Sequence, residues 1–105
     1  MANAEGLPRF ELGHITMTPG AKEVFEKSRD SWATYLQRHH KGDWGDVDRE
    51  NWAANDQAIK EGTRILSAYT LNDNTTIWII TEAIGPDNHR LSTCFLLPSS
   101  IKVRQ

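Results

Sequence analysis

Apolar and polar residues alternate along four stretches of the chain, and this period of two predicts β-strands. The first stretch covers residues 10–17 and is enriched in β-branched residues near its end. The other three follow one another in the second half of the chain, at residues 64–71, 75–83 and 90–97. Residues 72–74 and 84–88 are rich in Asn, Asp, Gly and Pro, which favour tight turns. The last three strands are therefore predicted to form an antiparallel meander.

Between the first and second strands the spacing of apolar residues lengthens to that of a helix. Thr18 is suited to cap a helix that begins at the proline after it. Ser and Asp at residues 28–31 are also potential caps, which leaves open whether residues 19–40 form one bent helix or two short ones. A further helix is predicted over about residues 48–61, and Gly62 is placed to end it in a left-handed conformation.

The order of these elements, β-α-α-(α)-β-β-β, predicts an α+β fold with a four-stranded antiparallel sheet and helices packed on one face. Residues 77–80 are apolar on both faces, which is typical of a central strand. At 105 residues the chain has the length of one domain. We therefore expect a single domain over residues 1–105, with a flexible lead-in at 1–9 and a tail at 99–105.

Composition restricts the classes of partner and cofactor. A net charge of −2 and a pI near 6.0 give no broad positive field, so direct binding of nucleic acid is disfavoured. No stretch has the roughly 20 apolar residues of a membrane span, and the start lacks a signal-peptide core, so a cytoplasmic protein without membrane contact is expected. The single cysteine, Cys94, excludes an internal disulfide and a cysteine zinc site. No phosphate-binding loop is present, and no cofactor is expected.

The stretch HHKGDWGDVD, at residues 39–48, allows three interpretations. In the structural one, which explains most of the stretch, Gly42 ends one helix, Trp44 fills the core and Asp46 or Asp48 caps the next helix. In the second, four side chains face a partner protein: Asp43, Trp44, Asp46 and Asp48. A Trp44→Ala variant distinguishes these two interpretations, because losing a contact residue leaves the domain folded whereas losing a core residue does not.

The third interpretation is a metal site with three ligands: His39, Asp43 and Asp46. The histidine spacing of zinc proteases and the aspartate spacing of EF-hands are both absent from the stretch, which weakens this interpretation. Outside the stretch, the weak candidates for catalysis are Glu82, His89 and Arg90. Glu82 follows an apolar run at a strand end, where a buried carboxylate can exchange protons, although a salt bridge to Arg64 or Arg90 is the simpler role.

Several segments together resemble one protein family. The most specific are GDWGD at residues 42–46 and ILSAY at residues 65–69, and the likeness extends over residues 10–98. On these segments the chain resembles small uncharacterised "plasmid-related" proteins encoded on bacterial plasmids and integrated elements. The resemblance implies a mobile-element setting but brings no activity, cofactor or catalytic residue. In that family an Asp-Arg pair usually follows the Thr-Glu-Ala segment directly, whereas here residues 84–89 precede Arg90, so a role for such a pair is in doubt.

The preferred hypothesis is a non-enzymatic accessory protein of a mobile genetic element that binds another protein. A counter-defence inhibitor of a host nuclease or surveillance complex would suit that setting. The order of elements also matches RelE/ParE-like toxins, and a ribonuclease of that type would need one cleft lined by Glu82, Arg64, His89 and Arg90. A metal-dependent enzyme using the HHKGDWGD stretch is the other alternative. A homodimer that pairs through the edge strand at residues 12–17 also stays open.

Overall fold

The computed structural model of the chain describes residues 7–100. Its elements follow the predicted order: β1 (His14–Met17), α1 (Pro19–Ser28), α2 (Trp32–His40), α3 (Arg49–Glu61), β2 (Ile65–Thr70), β3 (Thr76–Thr81), β4 (Ser92–Leu96) and a 3₁₀ turn at Pro98–Ser100. The predicted α+β class is thereby confirmed. The expected lead-in and tail fall largely on residues 1–6 and 101–105, which lie outside the described residues.

The four strands form one sheet in the order β1-β4-β3-β2. The meander is confirmed, because β2 pairs with β3 and β3 with β4, both antiparallel. The prediction of a wholly antiparallel sheet was wrong: β1 runs parallel to β4, with His14 opposite Ser92 and Met17 opposite Phe95. The physical reason is the connection. Helices rather than a hairpin join β1 to the meander, and a long crossover of this kind permits parallel pairing.

Residues 19–40 form two helices, which answers the question that the sequence left open. The Thr18 hydroxyl caps α1 by accepting a hydrogen bond from the Ala21 amide at 3.2 Å. After α1, Arg29 adopts a left-handed conformation with φ of 63°, and the chain changes direction before α2. The caps predicted for α3 are also present, since the Asp48 side chain accepts from the Asn51 amide and Gly62 is left-handed with φ of 80°.

All three helices pack on one face of the sheet, as predicted. The strand residues on this face alternate along each strand and are all buried: Ile65, Ser67, Tyr69, Ile77, Ile79, Thr81, Thr93 and Phe95. The helices bury two residues each against them: Ala21 and Phe25 from α1, Tyr35 and His39 from α2, and Asn55 and Ala58 from α3. Within the described part of the chain, no helix combines the length and apolar character needed to cross a membrane.

Candidate functional site

The stretch at residues 39–48 forms a compact connection between α2 and α3. Gly42 and Gly45 both have left-handed backbone, with φ of 93° and 74°. Between them Trp44 turns inward and is 0% exposed, and its indole N–H donates to the Asp56 carboxylate at 3.0 Å. The ring packs against Phe10 and His39. Trp44 therefore has no exposed surface to offer a partner, and its position is the one that the structural interpretation requires.

Each of the three aspartate carboxylates in this connection has a hydrogen-bonding partner in the same chain. Asp43 pairs with Arg38 through two contacts of 2.8 and 3.4 Å, and this pairing raises the pKa of Arg38. Asp46 accepts a hydrogen bond from the Thr70 hydroxyl at 2.8 Å. Asp48 caps α3 by accepting from the Asn51 amide at 2.8 Å. Each carboxylate thus has a structural role, although all three keep some exposed surface.

The same connection covers the outer edge of β2. Ala68 donates its amide to the Trp44 carbonyl at 3.2 Å, and its carbonyl accepts from the Asp46 amide at 2.6 Å. One turn of α3 covers the neighbouring outward position, because the Asn55 amide group donates to the Leu66 carbonyl at 2.7 Å and accepts from the Leu66 amide at 3.1 Å. The outward backbone groups of Leu66 and Ala68 are therefore satisfied, and this edge is closed to further strands at these two residues.

His39 lies at the centre of a buried chain of hydrogen bonds. The hydroxyl of Thr93 donates to the Leu12 carbonyl at 2.7 Å, so its oxygen accepts from Thr81 at 2.7 Å. The oxygen of Thr81 in turn accepts the Nε2 hydrogen of His39 at 2.8 Å. This leaves Nδ1 of His39 to accept from the Ser67 hydroxyl at 2.5 Å. Burial lowers the pKa of His39 to about 3, so the imidazole stays neutral.

This arrangement separates the three metal-ligand candidates. Both ring nitrogens of His39 are engaged by hydroxyl groups, while Asp43 and Asp46 bind Arg38 and Thr70 elsewhere. Over residues 7–100, no group of three His, Cys, Asp or Glu side chains is placed to hold a metal ion. The sequence did not reveal the chain of hydroxyl groups. Its only signal was polar residues at inward positions of the predicted strands, such as Thr81 and Thr93.

The candidate catalytic residues Glu82, His89 and Arg90 do meet in one place. A cleft of about 860 Å³ lies at the end of the sheet, where β1 and β4 begin and β3 ends. The residues that line it include His14, Glu82, His89 and Arg90, but not Arg64. His89 is exposed and contacts the Glu11 carboxylate at 3.0 Å. The cleft is thus lined by two histidines and two carboxylates, those of Glu82 and Asp87, which are groups able to transfer protons.

Arg90 cannot serve this cleft as a phosphate ligand, because its guanidinium is already engaged. It donates to three backbone carbonyl oxygens: those of Thr63 at 2.8 Å, Glu82 at 2.9 Å and Ala58 at 3.1 Å. The residue is only 3% exposed. The contact with Glu82 is therefore made to its carbonyl oxygen rather than its carboxylate, and differs from the salt bridge expected from the sequence. Arg90 holds the ends of α3 and β3 together.

The outer edge of β1 differs from that of β2, because no residue in the described range 7–100 covers it. His14 and Thr18 donate their amides to β4, at 3.0 Å to Leu91 and 3.0 Å to Phe95. Since successive residues of a strand point their backbone groups to opposite sides, the amides and carbonyls of Ile15 and Met17 point away from the sheet. No residue in the described range bonds to these outward groups. They are available to an additional strand.

A groove of about 610 Å³ lies beside this open edge, between β1 and α1. Its apolar lining comes from Ile15, Met17, Phe25 and Trp32, and its charged lining from Lys22, Glu26, Arg29 and Asp30. Ile15 is 40% exposed and Trp32 45% exposed, and because both line this groove their apolar surface forms one patch. We call the open edge of β1 and this groove the edge site. The pattern of the sequence predicted the strand but did not indicate Trp32.

Comparison of the chain with protein-family models, with curated proteins and with solved structures found no match. The resemblance to plasmid-related proteins, and the mobile-element setting that it implies, therefore stay predictions. The geometry of the described residues alone supports the functional proposal.

Proposed function

We propose that the protein acts by binding another polypeptide at the edge site, and not by catalysis. The difference between the two edges of the sheet carries this proposal. At β2, the main-chain groups of Leu66 and Ala68 are covered by α3 and by the connection before it. At β1, the outward groups of Ile15 and Met17 lack a partner among residues 7–100. Soluble proteins usually protect such edges, so an open edge beside an apolar groove supports strand addition by a partner.

The side chains of the edge site supply the second part of the argument. Trp32 and Ile15 expose apolar surface within one groove, and Trp32 packs edge-on against Phe95 with ring centroids 5.9 Å apart. That contact holds the indole in place before any partner arrives. Tryptophan is among the residues that contribute most to protein interfaces, where truncation to alanine at a central position costs about 2 kcal/mol or more. The backbone of β1 would supply affinity, and the groove would supply selectivity.

The ribonuclease alternative has less support. A nuclease needs a cation aimed at the transferring phosphate, and the Arg90 guanidinium is turned into three carbonyl oxygens. The hypothesis that residues 39–48 contact a partner protein also has less support than binding at the edge site, because Trp44 is buried. If the mobile-element prediction holds, a host nuclease or surveillance complex is the class of partner to test first.

A pull-down from bacterial lysate that also contains an untagged copy of the chain tests this proposal, with tagged wild type compared with Ile15→Ser and Trp32→Ala. Ile84→Ser is the matched control, since Ile84 and Ile15 are both 40% exposed but Ile84 lies outside the groove. We expect wild type and Ile84→Ser to retain the same polypeptide and the two edge-site variants to lose it. Retention by all four proteins would refute the edge site. An Asp46→Ser variant is added to the set. If this variant alone fails to retain the polypeptide, the contact surface lies at residues 39–48 instead.

A further inference from the structure

We infer that the polypeptide which pairs with β1 is a second copy of this chain, in a dimer with two-fold symmetry. This inference rests on the proposed function, because it takes the edge site as a strand-pairing surface and names its occupant. A single open edge is what a closed dimer requires. Since the β2 edge is covered at Leu66 and Ala68, pairing at β1 joins two four-stranded sheets and leaves no second open edge among residues 7–100 for further copies. Two open edges would instead favour an open-ended assembly.

The backbone of β1 is compatible with pairing to itself. An antiparallel pair with its two-fold axis at Thr16 places Ile15 opposite Met17 of the partner subunit, and Met17 opposite Ile15 of the partner subunit. These are the two residues whose amides and carbonyls point outward. Each such pair can exchange two hydrogen bonds, which gives about four across the axis. A register that differs by one residue would bring inward-pointing groups to the interface and form none.

The directions of the side chains are also compatible with this two-fold symmetry. Ile15 and Met17 lie opposite Thr93 and Phe95 in β4, so they project to the helix-covered face of the sheet, where the groove lies. Pairing of two β1 strands would bring the two grooves together, with these residues as a shared floor. Trp32 of each copy lines its own groove and would border the joined cavity. The exposed apolar groups would then be enclosed.

The charges along the groove are self-complementary. Lys22 and Glu26 both line it and are four residues apart on α1. The Nζ atom of Lys22 lies 4.0 Å from a carboxylate oxygen of Glu26. A two-fold axis reverses the direction of α1, so Lys22 of one copy would lie near Glu26 of the partner subunit and the reverse. A patch of a single sign would repel its own copy. The gain from exposed pairs of this kind is small, and their main effect is to favour one alignment over others.

Disulfide trapping tests the axis directly. In the proposed pair, Thr16 faces Thr16 of the partner subunit at a position where opposed Cα atoms are about 4.5 Å apart, within reach of a disulfide. Thr16→Cys is made together with Cys94→Ser, because Cys94 lies beside Thr16 in the β1–β4 register. Thr70→Cys with Cys94→Ser is the matched control, since Thr70 is exposed on the covered edge. Sedimentation equilibrium measures the mass and dissociation constant of the full chain.

We expect wild type to reach a mass of about twice 11.9 kDa and Thr16→Cys to form a disulfide dimer under mild oxidation, while Thr70→Cys does not. Ile15→Lys should raise the dissociation constant at least about tenfold, because a charge on the edge blocks pairing. A dimer trapped only by Thr70→Cys would overturn the inference. A monomer whose edge site still captures a host protein would overturn it but leave the proposed function standing. A monomer that captures nothing would refute both.

Discussion

Two tryptophans show how burial decides the role of a residue. Trp44 lies in the core, and its N–H is satisfied by Asp56, whereas almost half of Trp32 is exposed in the groove. Both occupy sequence positions that suit a core aromatic residue. The difference arises from what surrounds them, since Gly42 and Gly45 let the chain around Trp44 fold tightly over β2.

We predict that truncating Trp44 mainly lowers stability, whereas truncating Trp32 mainly removes binding. Trp44→Ala should lower the free energy of unfolding by about 3–5 kcal/mol, because it leaves a large cavity and removes the hydrogen bond between the indole and Asp56. Trp32→Ala should lower it by about 1 kcal/mol or less, yet remove binding at the edge site. Urea denaturation followed by circular dichroism measures both. Equal losses of stability in the two variants would contradict the burial difference on which the prediction rests.

The buried His39 predicts a pH dependence of stability. Its pKa in the folded protein is about 3, below the value of about 6.5 that a histidine has in an unfolded chain. The unfolded chain therefore binds the proton more readily. The stability that depends on neutral His39 is complete above about pH 6.5 and falls as the pH is lowered towards 3, by at most about 1.4 kcal/mol per pH unit.

Urea denaturation between pH 7 and pH 5 isolates this effect. Glu11, whose pKa is lowered by the hydrogen bond from the Arg90 amide, loses its stabilising contribution only at lower pH. We expect stability to fall across this range in wild type. His39→Gln should be less stable at pH 7 but show a flatter profile. A profile of the same slope in both proteins would assign the pH dependence to other groups.

At the scale of elements, the connection between α2 and α3 depends on one glycine. A Cβ at Gly45 would overlap the Ala68 carbonyl oxygen and the Tyr69 ring, and its φ of 74° already disfavours other residues. Gly45→Ala should therefore lower the free energy of unfolding by about 2 kcal/mol or more. Gly85→Ala is the control, because its Cβ would meet only ordinary contacts at 3.6 and 3.8 Å. Urea denaturation compares the two, and equal effects would disprove the close approach.

Local signals predicted the elements well where one short segment decides the structure. Thr18 and Asp48 cap helices as expected, and Gly62 ends α3. The first strand was predicted to begin at residue 10 but begins at His14, because Gly13 has a φ of 67° and breaks the extended conformation. The direction of β1 could not be predicted, because it depends on which strand lies beside it after three helices. No local pattern encodes that choice.

The candidate site was less predictable than the fold for the same reason. The candidate catalytic residues do line one cleft, but the sequence could not show that Arg90 would be turned into three carbonyl groups at the ends of α3 and β3. The edge site is likewise a property of the assembled sheet. Whether an edge is open depends on what lies beside it, and Asn55 covers Leu66 only because α3 packs there.

At the scale of the whole molecule, Arg90 joins parts of the chain that are distant in sequence. Its guanidinium binds the carbonyls of Ala58 and Thr63 at the end of α3, and that of Glu82 after β3. It also lies over the Phe10 ring, 5.8 Å from the ring centre. Burial lowers the pKa of Arg90, but its positive charge is favoured by the carbonyl groups at the helix end.

Arg90→Lys tests whether this junction stabilises the fold as a whole. A lysine keeps the charge, but its ammonium group cannot match the planar geometry by which the guanidinium reaches three carbonyl oxygens. Since a hydrogen bond to a charged group contributes about 1.5–3 kcal/mol, we expect the free energy of unfolding to fall by about 3 kcal/mol. The control is Arg64→Lys, at an exposed residue, with an expected change within about 0.5 kcal/mol.

Hydrogen exchange should show faster exchange of the Ile84 amide in Arg90→Lys, because this amide donates to the Gly62 carbonyl beside the junction. Wild-type stability in Arg90→Lys would mean that charge alone holds α3 to the sheet, and that the three-carbonyl geometry contributes little.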